Sequence, residues 1–404
     1  MNSASAGPRF WPVVLASAAV IAVTTGVRQS LGLLVPTLAA TGLGIATVSL
    51  VLAVGQFCWG AVQPLFGVLG DRIGTGWVLV LGGVLVALGL ALAPLMPTGL
   101  GLLLTLGVVS AAGCGAGSFS TLIGSASQRL DAERRAWGSG LISSGGSFGQ
   151  FLIAPVTQAV LLSAGWHAAV WTLAAAGLLT VFLARPVAGR LGPTRRTQVA
   201  GEADEPLAAT VRGALADSSY LYLHAAFFTC GFHIAFLVTH LPGEVALCGL
   251  PPAASGFAIG LIGLVNIAGS IGVGWLGGRY RMKLLLAILY TMRAISIALY
   301  LVAPKTLTTL YVFAAVLGVS WLATVPPTAG LVGKLFGTRH LATLFGLTLL
   351  SHQTGAFFGA WLGGVAMATT GSYQWVWIAD MALAASAAVL SLPVREAPLR
   401  LRTA

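Results

Sequence analysis

The sequence predicts an all-α membrane protein of twelve transmembrane helices in two pseudo-symmetric six-helix bundles. Scarce charge, one-sided placement of that charge, and a set of motifs that recurs at a fixed offset halfway along the chain all predict it. Charged residues make up 8% of the 404, against roughly 25% in soluble domains. Hydrophobic residues make up 57% and the mean hydropathy is +0.92, so water cannot be the main solvent. A helix that crosses a bilayer needs about 20 mostly apolar residues, because every backbone N–H and C=O must be satisfied within the segment. Such runs fall at 11–38, 46–70, 76–95, 100–126, 137–162, 166–185, 219–243, 253–278, 283–302, 307–332, 339–367 and 373–392.

The net charge of +11 would suggest a nucleic-acid partner in a soluble protein, but its placement argues otherwise. With the N-terminus cytoplasmic, 18 of the 21 Lys and Arg residues fall on one side of the membrane, Lys305 alone on the other, and Arg28 and Arg293 inside spans. That asymmetry supports the span count, because a missed or extra span would scatter the basic residues. It places both termini in the cytoplasm of a bacterial-type inner membrane. The first apolar run is longer than a signal-peptide core and is kept as a span. Cys58, Cys114, Cys230 and Cys248 are far apart, with no metal-ligand spacing and no disulfide framework, and read as small packing residues.

The repeat is visible in the motifs. Gly26-x-Arg28 answers to Gly231-x-His233 at an offset of 205. Gly140 and Gly149 answer to Gly346 and Gly355, Gly165 to Gly371, and Trp171 to Trp377, all at an offset of 206. The chain thus divides into a half at 1–185, a polar cytoplasmic linker at 186–217 and a second half at 218–404. Repeated halves around a midplane site are a transporter plan, in which rocking one half on the other exposes the site to each side in turn. The abundant glycines, as in SGLISSGGSFG (Ser139 to Gly149), let helix backbones approach closely in lipid.

The stretch GVLGDRIGTGW (Gly67 to Trp77) resembles the loop signature of the major facilitator superfamily through Gly67, Asp71, Arg72 and Gly74, with Thr75-Gly76-Trp77 in place of its second basic cluster. That resemblance implies the twelve-helix major facilitator fold and a gate-latch role for Asp71 and Arg72. Within the superfamily, GVRQSLGLLVPTL with QFCWGAVQP, and ERRAWGSGLISSGGSFG, are similar to stretches of the monocarboxylate and oxalate/formate exchanger group. The group's usual substrate-binding arginine on the eighth helix is missing: Asn266 fills the first place of its motif, but Ser270 stands at the second. The G-P-x-x-G-G pattern of drug/proton antiporters is absent from the fifth span.

The resemblance also implies that the first, fourth, seventh and tenth helices line the cavity. A charge at the bilayer centre costs at least about 2.5–3.5 kcal/mol, so it faces protein or a watery cavity and usually serves a function. Arg28, deep in the first span and beside Gln29 and Ser30, is therefore the candidate anchor for an anionic group; the alternative is a structural pair with an acid or backbone carbonyls. His233, its repeat counterpart, is expected to face it, and His352 beside Gln353 lies near mid-membrane. Both histidines are candidates for substrate contact and proton coupling, with hydrogen-bonded packing as the alternative. Arg293 and Asp380 match in depth and are expected to form a structural ion pair. Phe119, Trp321 and Phe357 are candidate aromatic contacts, and Pro326-Pro327 should kink the tenth span and release backbone groups. His240 and Glu244, four residues apart, make at most half a metal site.

The resulting expectation is a secondary transporter that moves a small organic anion, a monocarboxylate by resemblance, coupled to protons or by exchange with a counter-anion. The alternative is an exporter of drugs or other hydrophobic compounds. No nucleotide motif, nucleophile set or metal cluster is present, so no cofactor, metal or enzymatic activity is expected. The expected partners are the substrate, the coupling ion and the lipid bilayer, with the protein acting as a monomer.

Overall fold

The computed structural model describes residues 10–127, 132–188, 207–337 and 340–396, which are helical with no strand. Ten stretches are long and apolar enough to cross a membrane. One of these, Gly140–Arg185, is two helices joined by a turn at Gly165, and the 30-residue helix Leu341–Thr370 adds another rod, which makes twelve. We label them α1 (Phe10–Leu43), α2 (Ile45–Gly67), α3 (Thr75–Leu95), α4 (Gly99–Ile123), α5 and α6 (132–164 and 166–188), α7 (Ser218–Leu247), α8 (Ala253–Gly277), α9 (Met282–Val302), α10 (Leu307–Phe336), α11 (Leu341–Thr370) and α12 (Gln374–Ser391). A short helix, Leu207–Leu215, precedes α7. Asp217 caps α7, its Oδ1 accepting the Ser219 and Tyr220 N–H groups.

Each bundle has its own apolar core. In the first, Val27, Leu34, Val86 and Leu173 pack together. In the second, Phe227, Tyr290, Leu317 and Trp321 do so, with Leu33 and Ala154 reaching in from the first bundle.

The repeated glycines occupy equivalent places. Gly165 and Gly371 both take positive φ, +80° and +66°, and end α5 and α11. No side chain favours that conformation, which is why glycine stands at both positions. Gly149 packs its Cα face on the Ala22 carbonyl of α1 and Gly355 packs on the Phe228 carbonyl of α7, where a Cβ would lie 1.9 and 2.0 Å from the oxygen. The breaks in α4 at Gly117-Ser118 and in α10 at Trp321 to Thr324 also correspond.

The α10 break lies one residue before Val325-Pro326-Pro327, where the prolines open the second segment (Val325–Phe336), as expected. Proline cannot supply the N–H that would continue the helix, so backbone groups ahead of it are released.

At the end remote from the basic loops the bundles touch closely. A Cβ on Gly32 of α1 would lie 1.8 Å from the Val238 carbonyl of α7, and one on Gly364 of α11 would lie 2.3 Å from Ser49 of α2. Small residues at these points let backbone meet backbone. Three hydrogen bonds join α5 to α8 across the bundle interface: Gln150 Nε2 to the Ile259 carbonyl at 2.9 Å, Ser255 Oγ to Gln158 Oε1 at 3.4 Å, and Asn266 Nδ2 to Ser147 Oγ at 2.7 Å.

Candidate functional site

Arg28 projects from α1 toward α2. Its Nη1 donates to Gln56 Oε1, and its guanidinium lies over the Trp59 ring, 4.3 Å from the centroid. Gln56 and Trp59 are three residues apart on α2, so one helix face presents both. The arginine's Nε is buried and has no hydrogen-bond partner among the described residues, nor does any carboxylate lie within 4 Å of the group. A neutral amide and an aromatic face stabilise a cation without cancelling its charge. The guanidinium therefore keeps both its positive field and a free donor.

The cavity at Arg28 is lined by Leu31, Leu52, Leu106, Ser110, Cys114 and Thr239, among others. It holds about 20 Å³, little more than the ~10–15 Å³ that one water needs. Val238 and Thr239 of α7 belong to the opposite bundle and close over it. Room for an organic anion therefore depends on the two bundles separating there.

The other expected site residues fall into distinct groups. Gln29 is buried, with neither amide atom hydrogen-bonded among the described residues, whereas Ser30 donates to its own helix at the Gly26 carbonyl, 2.7 Å away. Gln353 Nε2 donates to His352 Nδ1 at 2.8 Å, and its aliphatic stem lies against Gly60, the neighbour of Trp59, so this pair borders the Arg28 platform. Phe119 opens the last segment of α4 and leans on Gly146 of α5. Phe357 meets Phe358 edge-on and Trp361 at a tilt, and packs on the alanine cluster of Ala53, Ala235, Ala356 and Ala360 between the bundles.

Asn266 is fully engaged. Besides bonding Ser147, its Oδ1 accepts the Leu322 N–H at 3.0 Å and the Ser270 hydroxyl at 3.2 Å. It ties the α10 break to the other bundle, with both polar atoms bonded to protein and one Nδ2 hydrogen unused. Asp71 and Arg72 lie in the helix Gln63–Ile73, with their side chains outside the described residues; Gly74, which ends that helix, takes φ +96°.

Two expectations need correction. His233 does not face Arg28: its Nδ1 lies 2.6 Å from Asp380 Oδ2 on α12, and its ring meets Trp321 edge-on at 5.8 Å. Arg293 does not pair with Asp380 either. Its Nη2 donates to the Ser320 and Trp321 carbonyls at 2.8 and 3.2 Å, the groups that the α10 break sets free. Equal depth brought Arg293 and Asp380 to one level, but the direction of each side chain around its helix decided the partner.

His240 and Glu244 also go separate ways. His240 Nε2 bonds the Ala360 carbonyl at 2.7 Å, and Glu244 accepts from Tyr300 and Trp377 at 3.4 and 3.3 Å. Among the described residues no group of three or more potential ligands could hold a metal, and all four cysteines are free. Sequence reasoning missed Gln56 and Trp59 as partners of Arg28. Their i, i+3 spacing in QFCWGAVQP, at a depth matching Arg28, was the available signal.

Two helical bundles enclosing a half-buried cation match the plan of a solute transporter. The family model described as Major Facilitator Superfamily matches residues 16–360, and the chain belongs to that superfamily of multi-pass membrane transporters, which are not enzymes. It is similar to rat "Monocarboxylate transporter 13", at 28% identity over 95% of this chain and 89% of that protein. It is also similar to mouse "Monocarboxylate transporter 11", at 27% identity over 90% and 82%. The crystal structure of a bacterial homolog to the human lysosomal transporter Spinster, inward-facing and unoccupied, shares the fold at TM-score 0.72 and 14% identity, covering 96% of this chain and 95% of that one.

Proposed function

We propose that the protein moves a small organic anion, a monocarboxylate, by alternating access, in symport with protons. The observation that carries this reading is Arg28: a guanidinium between the bundles, held only by neutral groups among the described residues, with a free buried Nε. A carboxylate arriving there supplies the missing counter-charge and can accept two parallel N–H bonds. Ser110 and Thr239, which line the same cavity, are the polar groups available to its second oxygen, whereas Gln29, His352 and Gln353 are not among the residues that line it. Similarity to proteins named monocarboxylate transporters supports the substrate class.

The expected division into halves 1–185 and 218–404, joined by the linker 186–217, supports alternating access. Val238 and Thr239 close the Arg28 cavity from the second half, so rocking that half away opens it. Asp71 and Arg72 serve as the gate latch at the basic end. The one-sided basic loops support a cytoplasmic position for that end and for both termini, in a bacterial inner membrane, with the protein working as a monomer.

The test is uptake of labelled lactate and pyruvate by cells expressing Arg28→Gln. The expected result is a loss of at least about a hundredfold, as befits removal of a buried charged partner, at unchanged protein level. Wild-type uptake by that variant would overturn the assignment.

A further inference from the structure

The second bundle contains a buried charge cluster that the anion site does not use. His233 on α7, Arg293 on α9 and Asp380 on α12 are each 1% exposed. Their bonding is incomplete in a specific way. Asp380 Oδ2 meets His233 Nδ1 at 2.6 Å, while Asp380 Oδ1 and His233 Nε2 have no hydrogen-bond partner among the described residues. Arg293 spends Nη2 on two carbonyls and leaves Nε and Nη1 unpartnered. The Trp321 indole Nε1, whose ring lies beside the imidazole, is likewise unpartnered.

A purely structural set would close these valences, with the acid saturated by the permanent cation. Here the acid contacts the one neighbour whose charge is optional. Because a carboxylate oxygen accepts, Nδ1 carries a hydrogen whether the ring is neutral or charged, and the variable proton belongs to Nε2.

We propose that His233 Nε2 carries the proton that travels with the anion. Asp380 orients the ring and supplies its counter-charge, and Arg293 competes for that carboxylate. This inference rests on the transporter reading above and locates its coupling ion.

The charges balance as follows. With the proton bound, the cluster holds an imidazolium, a carboxylate and a guanidinium; without it, the last two cancel. One proton on Nε2 and one monoanion on Arg28 together add no net charge to the protein, so the loaded and empty forms cross the membrane field alike. When Nε2 loses its proton, the remaining full positive charge near Asp380 is Arg293. Movement of Arg293 toward Asp380 loosens its hold on the Ser320 and Trp321 carbonyls. The same break is held at the Leu322 N–H by Asn266, which also bonds Ser147 across the bundle interface. Proton occupancy is thereby linked through hydrogen bonds to the α10 break and to the interface that must move.

The other titratable or charged groups near the cluster are Cys230 on α7, Tyr290 on α9, His352 on α11 and, toward the first bundle, Arg28. Tyr290 lies under the Arg293 guanidinium at 5.5 Å, and His352 Nδ1 is taken by Gln353. Glu244, further along α7, is bound to Tyr300 and Trp377.

The experiment uses full-length protein in proteoliposomes, with an imposed pH gradient, labelled L-lactate as probe and an internal pH dye. Wild type should accumulate lactate with matching proton movement. His233→Gln and Asp380→Asn should lose gradient-driven accumulation at least tenfold yet keep lactate–lactate exchange, which also shows that they fold. Gradient-driven accumulation at the wild-type level in either variant overturns the proposal. A second arm needs no substrate. In 15N-histidine-labelled protein, one Nε2 resonance should titrate between about pH 5 and 9, vanish in His233→Gln and move in Asp380→Asn. A His233 Nε2 signal that stays constant over that range overturns the proposal even if exchange is lost. If wild type carries no lactate, the anion reading fails for that probe while the resonance still decides where the proton sits.

Discussion

Arg28, half-buried, and Arg293, fully buried, both lie in the middle of membrane helices, and their surroundings differ in kind. Arg28 in the first bundle has a neutral amide, an indole face and an unpartnered Nε. Arg293 in the second bundle is bonded to the carbonyls that a proline break exposes, within reach of a histidine and an aspartate that are themselves paired. The first charge is incomplete without something from outside, whereas the second belongs to a set that nearly balances itself. Burial alone therefore does not mark a binding residue. What separates the two arginines is whether the protein supplies the opposite charge.

Removing each arginine is the sharpest way to break this comparison. Arg293→Leu leaves the Ser320 and Trp321 carbonyls without their donor, and should cost about 1–3 kcal/mol of stability for each, read as a fall in melting temperature in detergent. Arg28→Leu strands no acid and should leave the melting temperature within a few degrees of wild type while abolishing uptake. Equal destabilisation by the two changes would show that Arg28 is as structural as Arg293.

A smaller effect separates contacts within a bundle from contacts between bundles. A Cβ on Gly231 would sit 1.7 Å from the His352 carbonyl inside the second bundle, so Gly231→Ala should cost about 1–3 kcal/mol through overpacking. Gly32→Ala meets the Val238 carbonyl at nearly the same distance, but across the bundle interface, which parts in the proposed transport cycle. It should change the melting temperature little and instead raise the labelling of a cysteine placed at Val238. The smallest effect concerns the platform. Trp59→Phe weakens the aromatic face under Arg28 by about 0.5–1 kcal/mol, which should raise KM for the anion severalfold and leave the maximal rate near wild type.

Most of the architecture could be read from the residues, because lipid allows so few solutions: apolar length sets the rods, basic residues set the sides, and a repeated glycine marks a repeated geometry. Gly149 and Gly355, met by Ala22 and Phe228, show that a sequence offset translated directly into a packing position. The Pro326-Pro327 break was legible for the same reason, since proline acts through its own backbone. Partners were less legible. Counting residues gives depth along a helix but not the direction in which a side chain leaves it, so Arg293 was matched to Asp380 and His233 was turned toward Arg28. Asn266 was legible as a polar residue at the right level, yet its three bonds depend on where α5 and the α10 break come to rest. Gln56 and Trp59 carried a usable signal, but only a neighbouring helix gives that signal meaning.

The seam between Gly32 and Val238 has a mechanical consequence. Attraction between touching atoms fades within the first fraction of an ångström of separation, and Gly32 lies directly on the Val238 carbonyl. Such a joint resists until it parts and then offers almost no resistance. In the proposed transport cycle this end of the bundle interface should therefore behave like a snap fastener, with few half-open states.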